Sequence, residues 1–221
     1  MRLTLSLLAV FYTLCSCSNP SEITYEEQLS ICTKNHKSPT SKINKTNLEA
    51  ATQEFQLEQQ IRECMKGAHG PAFKLKTYKG DSINTVPTQG KAVVLFFWSA
   101  TLADAPDYAK KSDSATFAAM NTLCQKYDKK VDFIGFPFND SITVKRYLQE
   151  HPLYFPQVYD RKISSDKYIL LTQNTTNYTI FINTQGRVVK IVSGSFATES
   201  RATQVISTII QACTENKPYN K

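Results

Sequence analysis

Gly90-Lys91-Ala92-Val93-Val94-Leu95-Phe96-Phe97-Trp98-Ser99-Ala100-Thr101 is the stretch that decides the fold. From Lys91 to Ser99 it is an almost unbroken apolar run, rich in β-branched and aromatic residues. Such a run reads as a strand buried on both faces, as in a parallel sheet. Leu102-Ala103-Asp104-Ala105 come next, then Pro106 and a helical pattern. A helix start stabilises negative charge, a thiolate included, through its free N–H groups and dipole. No thiol is on offer here, because no cysteine lies between Cys64 and Cys124. Asp104 is the only ionisable residue of the four, and a lone carboxylate at a helix start is most simply matched to the dipole.

Outward from that strand, the pattern predicts a helix over Pro106 to Tyr127, with Tyr108, Phe117, Met120, Leu123 and Cys124 as apolar positions. Val131 to Phe136 reads as a second strand. Ser141 to His151 reads as a short helix stopped by Pro152. Tyr178 to Asn183 and Arg187 to Ser193 flank Thr184-Gln185-Gly186, a hairpin signal. Glu199 to Cys213 forms the last helix, with Ala202, Val205, Ile206, Ile209 and Ile210 on its apolar face. The order β-α-β-α-β-β-α implies an α/β fold: a mixed sheet with helices on both faces.

On the N-terminal side, Glu22 to Asn35 and a second run from Thr46 or Asn47 to Cys64 read as two helices, the second stopped by Gly67. They are expected to form a helical hairpin ahead of the main domain, with Cys32 and Cys64 near the open ends of antiparallel arms. A bridge between them would close a loop of ~30 residues and contribute roughly 3 kcal/mol by the chain-entropy treatment.

The first residues have the make-up of a targeting segment: Arg2, then a mostly apolar stretch from Leu3 to Leu14 that is shorter than a membrane span. Leu14-Cys15-Ser16-Cys17 resembles a bacterial lipobox, with Cys17 as the residue freed and acylated. Two acyl chains anchor a protein stably where one does not. The expected organisation is a lipoprotein signal peptide over 1–16, a helical extension over 17–66, the main domain over 67–215 and a tail over 216–221. The expected address is the cell envelope, exported and membrane-anchored, on its periplasmic or outer-membrane side.

The chain has 221 residues and a net charge of +7. Its lysines are scattered in ones and twos, without a dense basic block interleaved with aromatics, so a solvated surface is expected rather than a nucleic-acid site. Cys32, Cys64, Cys124 and Cys213 form no Cys-x-x-Cys, and His36, His69 and His151 stand isolated. No zinc spacing results and no metal or cofactor is expected. Asp81-Ser82-Ile83, Asp113-Ser114-Ala115 and Asp140-Ser141-Ile142 resemble a short O-glycosylation signal of some envelope proteins. Asn44, Asn139, Asn174 and Asn177 sit in N-glycosylation acceptor triplets.

Taken together, these marks resemble the thioredoxin-like fold, and within it the exported, membrane-tethered thiol-disulfide oxidoreductases of the redoxin and peroxiredoxin group. The resemblance spans about residues 67–213. Gly67, Pro71, Phe73 and Leu75 fall where that group has its Gly-x-x-x-Pro-x-Phe-x-Leu lead-in, and Phe97-Trp98 ends the first long strand. Phe155-Pro156-Gln157-Val158-Tyr159-Asp160 is similar to its Phe-Pro-Val stretch, and Ile180 to Val189 to its penultimate strand and turn.

Two departures fall on the group's functional positions. The resemblance implies redox cysteines at Leu102 and Ala105, and a cis-proline facing them at Asn177 or Tyr178. Neither leucine nor alanine can act as a thiolate or resolve a mixed disulfide. A cis bond without proline costs ~3 kcal/mol, so a trans peptide is expected. The reading is therefore a protein without redox-active cysteines that binds a peptide or protein of the envelope through Trp98, Leu102, Asn177 and Tyr178. The alternative is a thiol-disulfide oxidoreductase or redoxin-type antioxidant enzyme using atypical cysteines. Cys124 and Cys213, on helices that share one sheet face, are read as a structural bridge or two buried thiols.

Overall fold

A computed structural model describes residues 23–35, 47–77, 80–87, 90–100, 105–158 and 177–219. Cys15, Cys17, the proposed signal segment, His36, Asn44, Leu102, Ala103, Asp104, Tyr159, Asp160 and Asn174 lie outside the described residues. The elements are α1 (Tyr25–Asn35), α2 (Asn47–Cys64), β1 (Lys74–Lys76), β2 (Ser82–Asn84), β3 (Ala92–Trp98), α3 (Asp107–Tyr127), β4 (Val131–Pro137), α4 (Ser141–Glu150), β5 (Tyr178–Ile182), β6 (Val188–Ser193) and α5 (Glu199–Glu215).

Four strands form the central sheet in the order β4-β3-β5-β6. β3 runs parallel to β4 and antiparallel to β5, and β5 pairs antiparallel with β6. This is the thioredoxin-like mixed sheet. Every residue of β3 is buried, as its apolar run demands. Alternation along the strand separates two cores. Val93, Leu95 and Phe97 enter one, with Ile134, Phe136, Tyr178, Ile180 and Ile182. Val94, Phe96 and Trp98 enter the other, with Phe117, Met120 and Leu123 of α3 and Ile206, Ile209 and Ile210 of α5.

The helix boundaries have local causes. Asp140 caps α4 by accepting from the N–H groups of Ile142 and Thr143. Thr198 caps α5 by accepting from the Arg201 N–H, and Asn216, at φ 52°, ends that helix in the left-handed conformation. Two features have too little periodicity to read from sequence. One is the three-residue pair β1–β2. The other is Pro156–Val158, which runs along the edge of β4: Gly135 N–H donates to the Pro156 carbonyl and Val158 N–H to that of Gly135, both at 2.8 Å.

The N-terminal helices cover one face of the sheet. Tyr25, Leu29 and Cys32 of α1, Ile61 of α2 and Met65 belong to the same core as Phe97 and Tyr178. The end of α2 is fixed to β6. Gly67 N–H donates to the Val188 carbonyl, Val188 N–H donates to that of Ala68, and Lys190 pairs with Glu63 at 2.6 Å.

Cys32 and Cys64 are disulfide-bonded, with Cα atoms 5.8 Å apart. The pairing is the expected one, but the helices meet differently from the antiparallel arms expected. Cys64 is the last residue of α2 and Cys32 lies in the last turn of α1. In antiparallel arms the end of α1 would face the start of α2, about 25 Å from Cys64 at 1.5 Å of rise per residue. The two helices instead meet at their C-terminal turns. Cys124 and Cys213 are free thiols, not a bridge.

Candidate functional site

The site is the C-terminal end of β3, where the chain leaves the sheet and re-enters as α3. Ala105 is a half-buried residue at a bend, and Pro106 (φ −58°, ψ 146°) sets the start of α3 at Asp107. The first two amides past the strand are taken by side-chain carbonyls. Ser99 N–H donates to Asn177 Oδ1 at 3.0 Å, and Ala100 N–H to Asn139 Oδ1 at 2.6 Å.

Asn177 is fully buried and joins three segments. Besides accepting from Ser99, its Nδ2 donates to Asp113 Oδ1 and to Ser195 Oγ, each at 2.7 Å. Ser195 Oγ donates to the same Asp113 oxygen at 2.5 Å. The Asn177 carbonyl accepts from Gly194 N–H at 2.7 Å. No peptide bond among the described residues is cis. The Asn177 side chain is thus turned inward, onto Asp113 and the 194–195 loop.

Asp113 and Ser195 were not singled out as site residues by sequence reasoning. A signal for Asp113 was present: it shares the inward face of α3 with Thr116, Phe117 and Met120, and a lone carboxylate on such a face needs a partner. Ser195 carried no such signal, since a serine after a strand reads as ordinary loop.

Trp98 and Tyr178, expected to form a contact groove, are 0% and 3% exposed and offer a ligand almost no side-chain surface. Trp98 donates its indole N–H to Gln157 Oε1 at 2.9 Å and packs edge-on against Phe117. Gln157 in turn donates to the Phe155 carbonyl. A Cβ on Gly135 would collide with the Gln157 carboxamide, so any larger residue there requires Gln157 to move. Tyr178 stacks on Phe97 with centroids 4.4 Å apart. Burial, with a smaller contribution from Tyr25, pushes the Tyr178 hydroxyl well above its ordinary value. It stays a neutral packing residue. Large apolar side chains that do face solvent near this end are Tyr108 on the first turn of α3 and Ile142 on that of α4.

The two free thiols are poorly suited to nucleophilic work. Burial, then Asp128, raises Cys124, and burial pushes Cys213 up to about 12. Among the described residues no group of His, Cys, Asp or Glu is placed to hold a metal ion. Gln157 also lines a groove of about 800 Å³ with Val144, Lys145 and Leu148 of α4 and with Leu153 and Tyr154.

Residues 67–191 match the profile of the AhpC/TSA family, which is more than half of the chain. The chain belongs to the AhpC/TSA family. Its fold is shared with solved thiol-disulfide proteins. One is assigned as the thiol:disulfide interchange protein DsbE of Chlorobium tepidum (19% identity, TM-score 0.53, covering 67% of this chain and 97% of that one). Another is a solution structure assigned as a protein disulfide isomerase of Bacteroides thetaiotaomicron (16%, 0.52, 68% and 90%). A third is a thioredoxin-family thiol:disulfide interchange protein, also of Chlorobium tepidum (14%, 0.50, 66% and 97%). At these identities the likeness establishes the fold. No curated protein matches the sequence significantly. Within this AhpC/TSA chain, Ala105 stands where the resemblance places the second redox cysteine, at the approach to α3.

Proposed function

We propose that this AhpC/TSA-family protein is an exported, lipid-anchored accessory protein of the cell envelope that binds a protein or peptide without dithiol chemistry at the family's site. The observation that carries the reading is the Asn177–Asp113–Ser195 knot. It ties the segment before β5 to α3 and the 194–195 loop with internal hydrogen bonds, and the resemblance aligns Leu102 and Ala105 with the positions where thiols would stand. Contact then falls to the exposed side chains around the loop, Tyr108 and Ile142 first. Anchoring through Cys17 accords with the lipobox-like run, and no helix among the described residues is long and apolar enough to cross a membrane.

Family membership and the solved neighbours favour a second reading, a thiol-disulfide oxidoreductase or redoxin-type enzyme working through other cysteines. Insulin reduction and peroxide consumption separate the two. The binding reading expects no turnover above buffer. Turnover comparable with an ordinary thioredoxin, abolished in Cys124→Ala or in Cys32→Ser/Cys64→Ser, overturns it. Intact-mass analysis of protein extracted from membranes tests the anchor: a mature chain that starts elsewhere and carries no acyl mass removes it.

A further inference from the structure

We propose that the Cys32–Cys64 disulfide is an exchangeable latch: an external dithiol opens it by attack at Cys64, and its opening releases α1 from the sheet while the rest of the fold stands. Three independent features of the structure carry this.

The first is an asymmetry between the two cysteines. Cys32 is fully buried, whereas Cys64 is half-buried at the end of α2. Attack from solvent meets the less buried cysteine first, which makes Cys32 the leaving group. The second is a donor placed for that leaving group. Gln28, one turn before Cys32 on α1, directs Nε2 at Cys32 Sγ at 3.4 Å and stands 4.0 Å from Cys64 Sγ. A hydrogen bond to the departing sulfur favours its thiolate form, and a more stable leaving thiolate leaves faster.

The third is an asymmetry in how the two helices are held. α2 continues into backbone hydrogen bonds with β6 and an ion pair from Glu63 to Lys190. α1 has 11 residues, of which Tyr25, Leu29 and Cys32 are buried. A helix that short has little stability in isolation, and one of its three buried side chains is itself half of the disulfide. The core that it joins is apolar. Phe97, Phe136, Phe138 and Tyr178 lie ring to ring on that face, at centroid separations of 4.4–6.2 Å.

The exchange balances with a thioredoxin-type dithiol as the reductant. One of its thiolates attacks Cys64 Sγ, the Sγ–Sγ bond breaks, and its electron pair leaves on Cys32 Sγ, which then takes a proton. The second thiol of the reductant, as thiolate, attacks the mixed disulfide at the reductant's own sulfur. Cys64 departs as a thiolate and is protonated, and the reductant leaves as a disulfide. Two electrons enter the protein.

The test is hydrogen–deuterium exchange on the full chain, oxidised and then reduced by dithiothreitol, with thiol labelling to confirm opening. Reduction is expected to raise amide exchange across residues 25–35 at least tenfold, with β3 and β5 changed by less than twofold. Equal protection of α1 in both states overturns the latch, and so does loss of protection in all elements together. Cys32→Ser/Cys64→Ser should show the exchange of the reduced wild type without any reductant. With glutathione as probe, an early acid quench should trap the mixed disulfide on Cys64, and trapping on Cys32 contradicts the proposed direction of attack. Gln28→Leu should slow reduction by dithiothreitol several-fold, and an unchanged rate removes the role of the donor. None of these readouts depends on what the protein binds.

Discussion

Asn177 ties together three segments at the site. It is fully buried, and its side chain holds the end of β3, the inner face of α3 and the loop after β6 at once. Asn177→Ala removes all three side-chain bonds and leaves the Asp113 carboxylate with one donor fewer. Unsatisfied buried groups cost about 1–3 kcal/mol each, more when charged. The substitution should therefore lower unfolding free energy by about 2–4 kcal/mol, read from the midpoint shift in urea at an unchanged slope. The thiols make a second residue-scale expectation. Because burial holds Cys213 near 12, native protein at pH 8.5 should leave Cys213 unalkylated by iodoacetamide, with Cys124 reacting slowly. Urea-unfolded protein should lose both thiols quickly. The linkage has a definite sign. A thiol whose folded value is raised keeps its proton in the folded state, so its contribution is fully present below the unfolded value near 8.5 and declines as pH rises above it. Alkylation of native Cys213 at the unfolded rate would show that the α5 face is not closed.

At the scale of elements, the edge of β4 depends on one small residue. Gly135 has no Cβ because the Gln157 carboxamide lies over its Cα on the way to the Trp98 indole. Gly135→Ala should displace Gln157, break the indole hydrogen bond and cost about 1–3 kcal/mol, as overpacking does. Trp98 emission should shift to the red. The double variant Gly135→Ala/Gln157→Ala should recover part of that loss, since the clash goes with the carboxamide. Additive losses in the two single variants would mean that the residues do not share a contact. Much of this architecture was legible beforehand. β3, α3, β5 and α5 announced themselves by apolar runs or helical spacing. β1, β2 and the 156–158 edge did not, because three-residue segments have no period to read and exist by pairing with something distant in the chain.

At the scale of the whole molecule, the site is made by segments that are far apart in sequence: the end of β3, the start of β5 and the loop before α5. Changing the loop alone should therefore be insufficient for activity. Leu102→Cys/Ala105→Cys is expected to form a disulfide under oxidising conditions, detectable as protection from thiol labelling, because a Cys-x-x-Cys spacing brings two thiols close in sequence. Its insulin reduction should stay far below that of a thioredoxin while Asn177 remains turned inward. Full activity from the two cysteines alone would show that the Asn177 knot does not obstruct substrate.

The sequence by itself determined the thioredoxin-like class, the order of the long elements and the absence of a cysteine between Cys64 and Cys124; it proposed the Cys32–Cys64 pair, but from an antiparallel hairpin that the structure replaces. The class and the order rest on local period and residue chemistry, which are properties of the chain as written. The tertiary structure decided the rest. It placed Trp98 and Tyr178 inside, joined Asp113 and Ser195 to Asn177, set Gln157 over Gly135, and brought α1 and α2 together at their C-terminal turns. Each of these is a contact between residues at least 18 positions apart. Such contacts follow from which faces must be buried against each other and which buried polar groups must find partners, and a one-dimensional pattern does not record that choice.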